Sequence, residues 1–491
     1  MSKRHYKKTA QRRPSFETLE GRDCMAVASL WFSGNQLCVR TDNFATSVSV
    51  SSSGTNIVVN ENGSGRTWSY AATTVGSVQF QGGTGNDRFV NNVSSLRVSG
   101  YGNGGNDYLE GYNGNDYFEG NDGNDTLVGY GGNDTMFGGI GNDVIRGMDG
   151  NDQLIGNDGN DHLNGGAGTD TMWGGTGNDV IISIDGGTTD QVLGEAGADT
   201  LWTDKVSTAV DTVFSAEASD MVQRVASFTN GADRTLNGDS ITDPTLKSGQ
   251  VYRRFSGNPL FSASGPLATD IDQGSLGDCW LLAGLSAIAM DNPQAIVHNV
   301  VDFDDGTYGV RLGDKFYRVD ADLPASSSTD STPDYAGMGR DNSMWVAVVE
   351  KAYAHYRTGA NSYASIENGW SIEVNQAFRS TSAGYKDLTS YANPTALAND
   401  IYTRWNTYQA VTIGFLGVRS GATGTAPLIM SHMYTVYSVN RDSAGNVTSI
   451  VLRNPWGVDG AGSDSNPNDA LVTVTPTQLM AYTGRLNWGK V

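Results

Sequence analysis

Residues 272–289 read DQGSLGDCWLLAGLSAIA, and the role of Cys279 within them decides how this chain is to be understood. A free cysteine is ordinarily a small buried hydrophobe. Here it stands between Asp278 and Trp280 and opens the run WLLAGLSAIAM, apolar on every side, as in a buried helix. A thiol on the first turn of such a helix feels the positive end of its dipole, which favours the thiolate. The chain has 491 residues and three cysteines, Cys24, Cys38 and Cys279. Three cannot build a disulfide framework, and pairing Cys24 with Cys38 would leave Cys279 free.

A nucleophilic cysteine needs a base and a group that orients the base. The histidines are His5, in a basic N-terminal stretch, His162, inside a repeat, and His298, His355 and His432. His432, in LIMSHMYTVYSV, precedes an alternating strand pattern that would hold its ring rigidly, and Asn454 ends a further strand in VLRNPWG. Cysteine, histidine and asparagine in that chain order form the papain-like arrangement. His432 would take the thiol proton and Asn454 would hold the imidazole. Gln273 is placed to donate its side-chain amide to an oxyanion, beside the backbone N–H of Cys279. Taken singly, His432 before a strand and Asn454 in a turn are ordinary structural residues; their combination with the cysteine and the glutamine carries the reading.

Four segments, QGSLGDCWLLAGLSAIA, WVAVVEKAYAHY, SHMYTV and RNPWG, closely resemble the calpain protease core, over roughly Phe255 to Trp488. The resemblance implies a two-lobed α+β papain-like fold and a cysteine endopeptidase acting on proteins or peptides, with Cys279, His432 and Asn454 as triad and Gln273 as oxyanion donor. It places Trp456 over the histidine and asparagine, and Gly277 with Trp456 at the substrate cleft. It also implies a calcium ion in the first lobe, with Asp270 and Glu350 as acidic ligands and Gly265 offering a carbonyl. In the second lobe the family's acidic pattern is out of step at Asp459. The plain alternative for Glu350 is a solvated helix acid. Two competing readings remain: a catalytically silent surface or matrix adhesion protein on the same fold, and an acyltransferase of the transglutaminase type. The latter places an acid where Asn454 stands.

Upstream lies a nine-residue period. Asp107, Asp116, Asp125, Asp134, Asp143, Asp152, Asp161, Asp170 and Asp179 recur at every ninth position, each two residues before an apolar side chain, Leu109 to Ile181. Glycines stand five and two residues before each of them, as Gly138 and Gly141 do before Asp143. Such glycines permit tight turns, and the apolar residue of the short strand that follows points inward. Two repeats then complete one coil, stacked coils bury an aliphatic stripe, and aspartates two repeats apart line up on one edge. Columns of carboxylates with turn carbonyls between them make a hard-oxygen cage suited to calcium. The pattern resembles the RTX nonapeptide repeat, whose fold is a calcium-bound parallel β-roll. The second consensus glycine is replaced by Asn103, Tyr112, Asn121, Tyr130, Met148 and Asn157. A metal-free solenoid is the alternative, opposed by repulsion among the stacked carboxylates.

The formal charge of −21 argues against nucleic acid as a partner. No apolar run is long enough to span a membrane. MSKRHYKKTAQRR is basic but fits an ordinary signal peptide poorly. FETLEGRDCMA, residues 16–26, resembles a short tag on exported proteins of some bacteria, and a disordered tail is the plain alternative. The expected organisation is a tail over 1–28, a β-solenoid with calcium-binding repeats over 29–201, a linker with one short helix near 216–227 over 202–254, and the protease domain over 255–491. Calcium is the expected cofactor, and the expected location is secreted or at the cell surface.

Overall fold

The computed structural model describes residues 27–491, apart from 206–209, 215, 233, 235–240, 256, 408, 424, 425, 427 and 458–469. Most of the expected N-terminal tail, with Cys24, and also Asp459, lie outside the described residues. The chain divides into two compact units, Met1–Arg224 and Val225–Val491.

In the first unit each aspartate turn is followed by a short strand, as at Tyr108–Asn113, Tyr117–Asp122 and Thr126–Gly131. Successive strands join opposite sheets, so each pairs in parallel with the strand two repeats away. Leu109, Phe118, Leu127, Met136, Ile145, Leu154, Leu163, Met172 and Ile181 all point between the sheets and are fully buried. Each contributes about 1.5–3 kcal/mol of apolar burial. The core runs on through Val192 and Leu201. Where the second consensus glycine is missing, the backbone keeps its left-handed shape: φ is 87° at Tyr112, 75° at Tyr130 and 80° at Met148. A side chain held there costs about 1–2 kcal/mol.

Both ends depart from the repeat. At the N-terminal end the strands Val27–Ser33 and Gln36–Thr41 form an antiparallel pair, as do Ser47–Ser53 and Asn56–Glu61. These hairpins join the parallel coils through Gln36–Thr41 and Ser47–Ser53, so this region is antiparallel rather than irregular coils. At the other end Thr212–Val213 and Met221–Val225 are strands that extend the two sheets. The short helix expected near 216–227 is therefore a strand, because the Met221 N–H pairs with the Asp199 carbonyl at the open end of a sheet.

The second unit has two cores. One gathers around the Cys279–Asp291 and Trp345–Tyr356 helices and the three-stranded antiparallel sheet of Val300–Asp302, Thr307–Leu312 and Lys315–Asp320. The other fills a six-stranded antiparallel sheet covered by the Pro394–Asn406 helix, with Ile413, Tyr434, Ile450 and Leu486 at its centre. The described part of 225–254 packs on the first core. Thr229 N–H donates to the Phe316 carbonyl, and Val251–Arg254 pairs with Asp322–Ala325. The molecule is thus a parallel β-roll followed by an α+β unit built on two cores.

Candidate active site

The Cys279–Asp291 helix is buried from Trp280 to Ala289, which is why its sequence is apolar on every side. Gly284 lets Val374 approach: a Cβ there would lie 2.8 Å from Val374 Cγ2. Thr435 Oγ1, on the strand His432–Arg441, donates to the Ala283 carbonyl at 2.8 Å and ties the sheet to the helix. Cys279 and His432 both line a cavity of about 360 Å³, with Gly277, Asn368, Gly369, Trp370, Phe415 and Leu416 among its other walls.

His432 opens its strand directly after Ser431, a non-glycine residue at φ 53°. Such left-handed backbone is held by its surroundings and clusters at functional sites. The imidazole is buried, edge-on to Tyr434 at 5.0 Å and tilted against Trp456 at 4.5 Å. Its Nε2 lies 2.8 Å from Asn454 Oδ1, which also accepts from the Trp456 N–H. A carbonyl oxygen only accepts, so Nε2 carries the proton and Nδ1 presents a lone pair.

The thiol behaves differently from the helix-dipole expectation. Burial pushes the Cys279 thiol up to about 11, aided by the Asp278 charge, and the N–H groups of Met433, Trp280 and Cys279 oppose this without overcoming it. Burial also pushes His432 below its ordinary value, against the hydrogen bond to Asn454. Burial thus favours the uncharged form of each group.

The other expected residues are placed as follows. Gln273 Nε2 donates to the Leu276 carbonyl at 2.6 Å and to Asp278 Oδ1 at 3.2 Å, so both amide hydrogens are engaged inside the loop rather than turned to an oxyanion. Gly277 lines the cavity, and its carbonyl accepts the Asn368 N–H. Asp270 Oδ2 accepts Trp345 Nε1 and the Leu267 N–H, and its Oδ1 accepts the Arg340 N–H. Glu350 Oε2 accepts the Ala336 N–H; burial, and next the Asp278 carboxyl that it meets, drive Glu350 well above its ordinary value. Asp270 and Glu350 thus hold different partners. Three other carboxylates converge in this unit, Asp243, Asp320 and Asp322, but Lys351 Nζ already pairs with the first two. Sequence reading missed Asp278, whose buried carboxyl turns back to Gln273 and Glu350 rather than capping the helix it precedes.

The repeat aspartates do come together. In eight of the nine, Oδ1 accepts the backbone N–H of the aspartate one coil earlier, at 2.7 Å for Asp107 to Asp125 and for Asp116 to Asp134; Asp116 Oδ1 accepts the Val98 N–H. The other oxygen, Oδ2, is buried without a hydrogen-bond partner in all nine and also in Asp190 and Asp199. Beside it lies room that only glycine leaves. A Cβ on Gly120 would stand 2.2 Å from Asp125 Oδ2 and 2.5 Å from the Gly138 carbonyl. Unpaired carboxylate oxygens facing carbonyl oxygens across a small gap are the donor set of a hard divalent cation, and they fit calcium. Burial pushes Asp134 up to about 8 and Asp143 up to about 7, against the N–H that each accepts. The ladder also reaches past the expected array, to Asp87 at one end and to Asp190, Asp211 and Asp220 at the other. The signal there was the retained Asp-x-apolar triplet in Asp190–Val192 and Asp211–Val213.

Known proteins carry the same two signatures. Residues 244–478 match the calpain family cysteine protease model, and 101–127, 110–145 and 146–181 match the RTX calcium-binding nonapeptide repeat. Calpain-8 of Mus musculus is 29% identical over 247 residues, 45% of this chain and 33% of that protein. The calpain-1 catalytic subunit of Homo sapiens is 28% identical over 235 residues, 43% of this chain and 30% of its own length. The chain spans about a third of the length of these relatives. With the cysteine–histidine cleft and the carboxylate ladder in place, these matches give the chain an array of RTX calcium-binding repeats over 101–181 and, over 244–478, a domain of the calpain cysteine protease family.

Proposed function

We propose that the chain is a calcium-dependent cysteine endopeptidase in which Cys279 is the nucleophile, His432 the base and Asn454 the group that orients the base. The observation that carries this is the bond from His432 Nε2–H to Asn454 Oδ1, which leaves Nδ1 as acceptor at the cavity that Cys279 also lines. The proton passes from Sγ to Nδ1 and the sulfur attacks the peptide carbonyl carbon. The C–N bond then breaks, the imidazolium returns its proton to the departing amine, and water hydrolyses the thioester. The Cys279 N–H is one oxyanion donor. Gln273 becomes the second only by releasing Leu276 or Asp278.

When bound, calcium supplies the counter-charge that the buried repeat oxygens lack. A second role for it, at Asp270 and Glu350, would require both carboxylates to exchange their present partners. The demand for calcium suits a protein working outside the cell or at its surface, where the ion is plentiful; fractionation of the producing cells checks this. The chemistry is tested with a peptidyl epoxide in calcium. Labelling is expected at Cys279 and should be lost in His432→Ala protein that still folds. Labelling elsewhere, or equal labelling in His432→Ala, overturns the assignment.

A further inference from the structure

The two sheets of the β-roll share one inward-facing repeat, yet their outward faces differ. On the ten-stranded sheet, strand register stacks Tyr101, Glu119, Phe137, Ile155, Trp173 and Leu193 in one column across the strands. All six are partly exposed. The adjoining column is built of serine, threonine and glutamine apart from Tyr117, whose hydroxyl donates to Glu119, the one carboxylate of the two columns. The equivalent column of the other sheet carries Glu110 and Arg146 and ends in the fully buried Ile182 and Trp202. Since both sheets bury the same kind of core, the fold does not require a row of aromatic and apolar residues, with Glu119 its one charge, on one of them.

The row also has a period. Tyr101, Phe137 and Trp173 stand two strand steps apart in turn, which is about 9–10 Å between their backbone positions; the Tyr117 ring lies between the first two, 6.0 Å from Tyr101 and 5.8 Å from Phe137. A β-1,4-linked pyranose chain in its extended two-fold form presents the same apolar ring face at every second sugar, a comparable interval. Aromatic rings at that spacing meet such faces, and the neighbouring glutamine, serine and threonine side chains offer donors and acceptors to the hydroxyls. Charge points the same way. In a molecule of net charge −21 a polyanion is repelled, and a polycation is drawn to the acidic surfaces rather than to this strip with its one carboxylate.

We propose that this face binds an extended, uncharged β-linked polysaccharide, laid along the solenoid axis across the strands. The proposal is independent of the protease chemistry. It is tested with the full chain in calcium by affinity electrophoresis through hydroxyethylcellulose, glycol chitin, dextran and alginate. Retardation is expected with one or both of the first two, which are uncharged and β-linked, and not with α-linked dextran or anionic alginate. Phe137→Ala combined with Trp173→Ala should weaken retardation by about tenfold or more, while Tyr112→Ala with Tyr130→Ala, which removes aromatics at the turns, should leave it unchanged. Should the first pair fail to fold in calcium by circular dichroism, the single variants Phe137→Thr and Trp173→Gln are read in its place. Absence of retardation by both β-linked polymers, retardation by alginate or dextran alone, or equal retardation in the Phe137 and Trp173 variants overturns the proposal.

Discussion

The two units bury charge in opposite ways. In the β-roll, eleven aspartates keep a carboxylate oxygen shut in with no donor to meet it. In the protease unit, the buried cations bring their own partners: Arg318 lies against Asp305, and Lys351 against Asp320 and Asp243; where Asp278 meets Glu350, by contrast, two buried carboxyls face each other. A carboxylate taken out of water without a partner is costly, and a paired one much less so. One unit is therefore complete only with an ion from outside, while the other is largely self-contained, the Asp278–Glu350 contact apart. The same division separates chemistry from architecture, since the cysteine, histidine and asparagine all lie in the self-contained unit.

That contrast is most sharply broken at the nucleophile. Cys279→Ala should abolish peptide hydrolysis, by at least about a thousandfold, while leaving the calcium-induced circular dichroism of the β-roll unchanged; hydrolysis near the wild-type rate removes Cys279 from the chemistry. Chelation is the converse. Stripped of calcium, the repeat should lose its ordered β signal, because binding free energy is folding free energy there. A thermal transition for the protease unit should persist. If both units melt together, the self-contained character of the second is wrong. Asn454→Ala should lower kcat about ten- to a hundredfold and spare some turnover, because the asparagine orients the base without reacting; wild-type kinetics would remove it from the site.

Smaller effects probe the ladder. Asp134→Ala deprives the Asp116 N–H of its acceptor and should cost about 1–3 kcal/mol in denaturant unfolding at saturating calcium. An unchanged midpoint would mean that the aspartate ladder is ornamental. Tyr130→Gly relieves a left-handed side chain at φ 75° and should stabilise the β-roll by about 0.5–1 kcal/mol, seen as a rise in its melting temperature. A fall would show that the contact with Tyr112 outweighs backbone strain.

How much was legible in the sequence follows the same division. A repeat writes its contacts locally: the inward residues from Leu109 to Ile181 could be named from spacing alone, and all are fully buried. Legibility failed where the spacing did. The ladder continues through Asp190 and Asp211, but insertions in the turns before them break the nine-residue count. The apolar residues near Met221 read as a helix because nothing local revealed the open sheet end that they complete. In the protease unit the order of Cys279, His432 and Asn454 was readable as a pattern of types. Its electrostatics were not: the burial that raises the thiol comes from residues remote in the chain, and so does the meeting of Asp278 with Glu350. Nor could the hydrogen bonds that occupy Gln273 be read from its position six before the cysteine.

The aspartate ladder has a direction. Every rung is a backbone N–H reaching toward a carboxylate that comes later in the chain, from Asp107 to Asp125, onward through Asp143 and Asp161, and ending on Asp199 and Asp220. A growing polypeptide therefore always trails an unfinished coil, because the acceptor that closes it has yet to be made. Assembly proceeds as a ratchet: each new aspartate seals the coil before it and leaves its own amide waiting for the next. The last rungs fall on residues with no regular period, so the terminator of the ratchet is written in the least repetitive part of the unit. A truncation there would open every coil behind it to fraying from that end, whereas a cut at the N-terminal side would leave the remaining rungs satisfied.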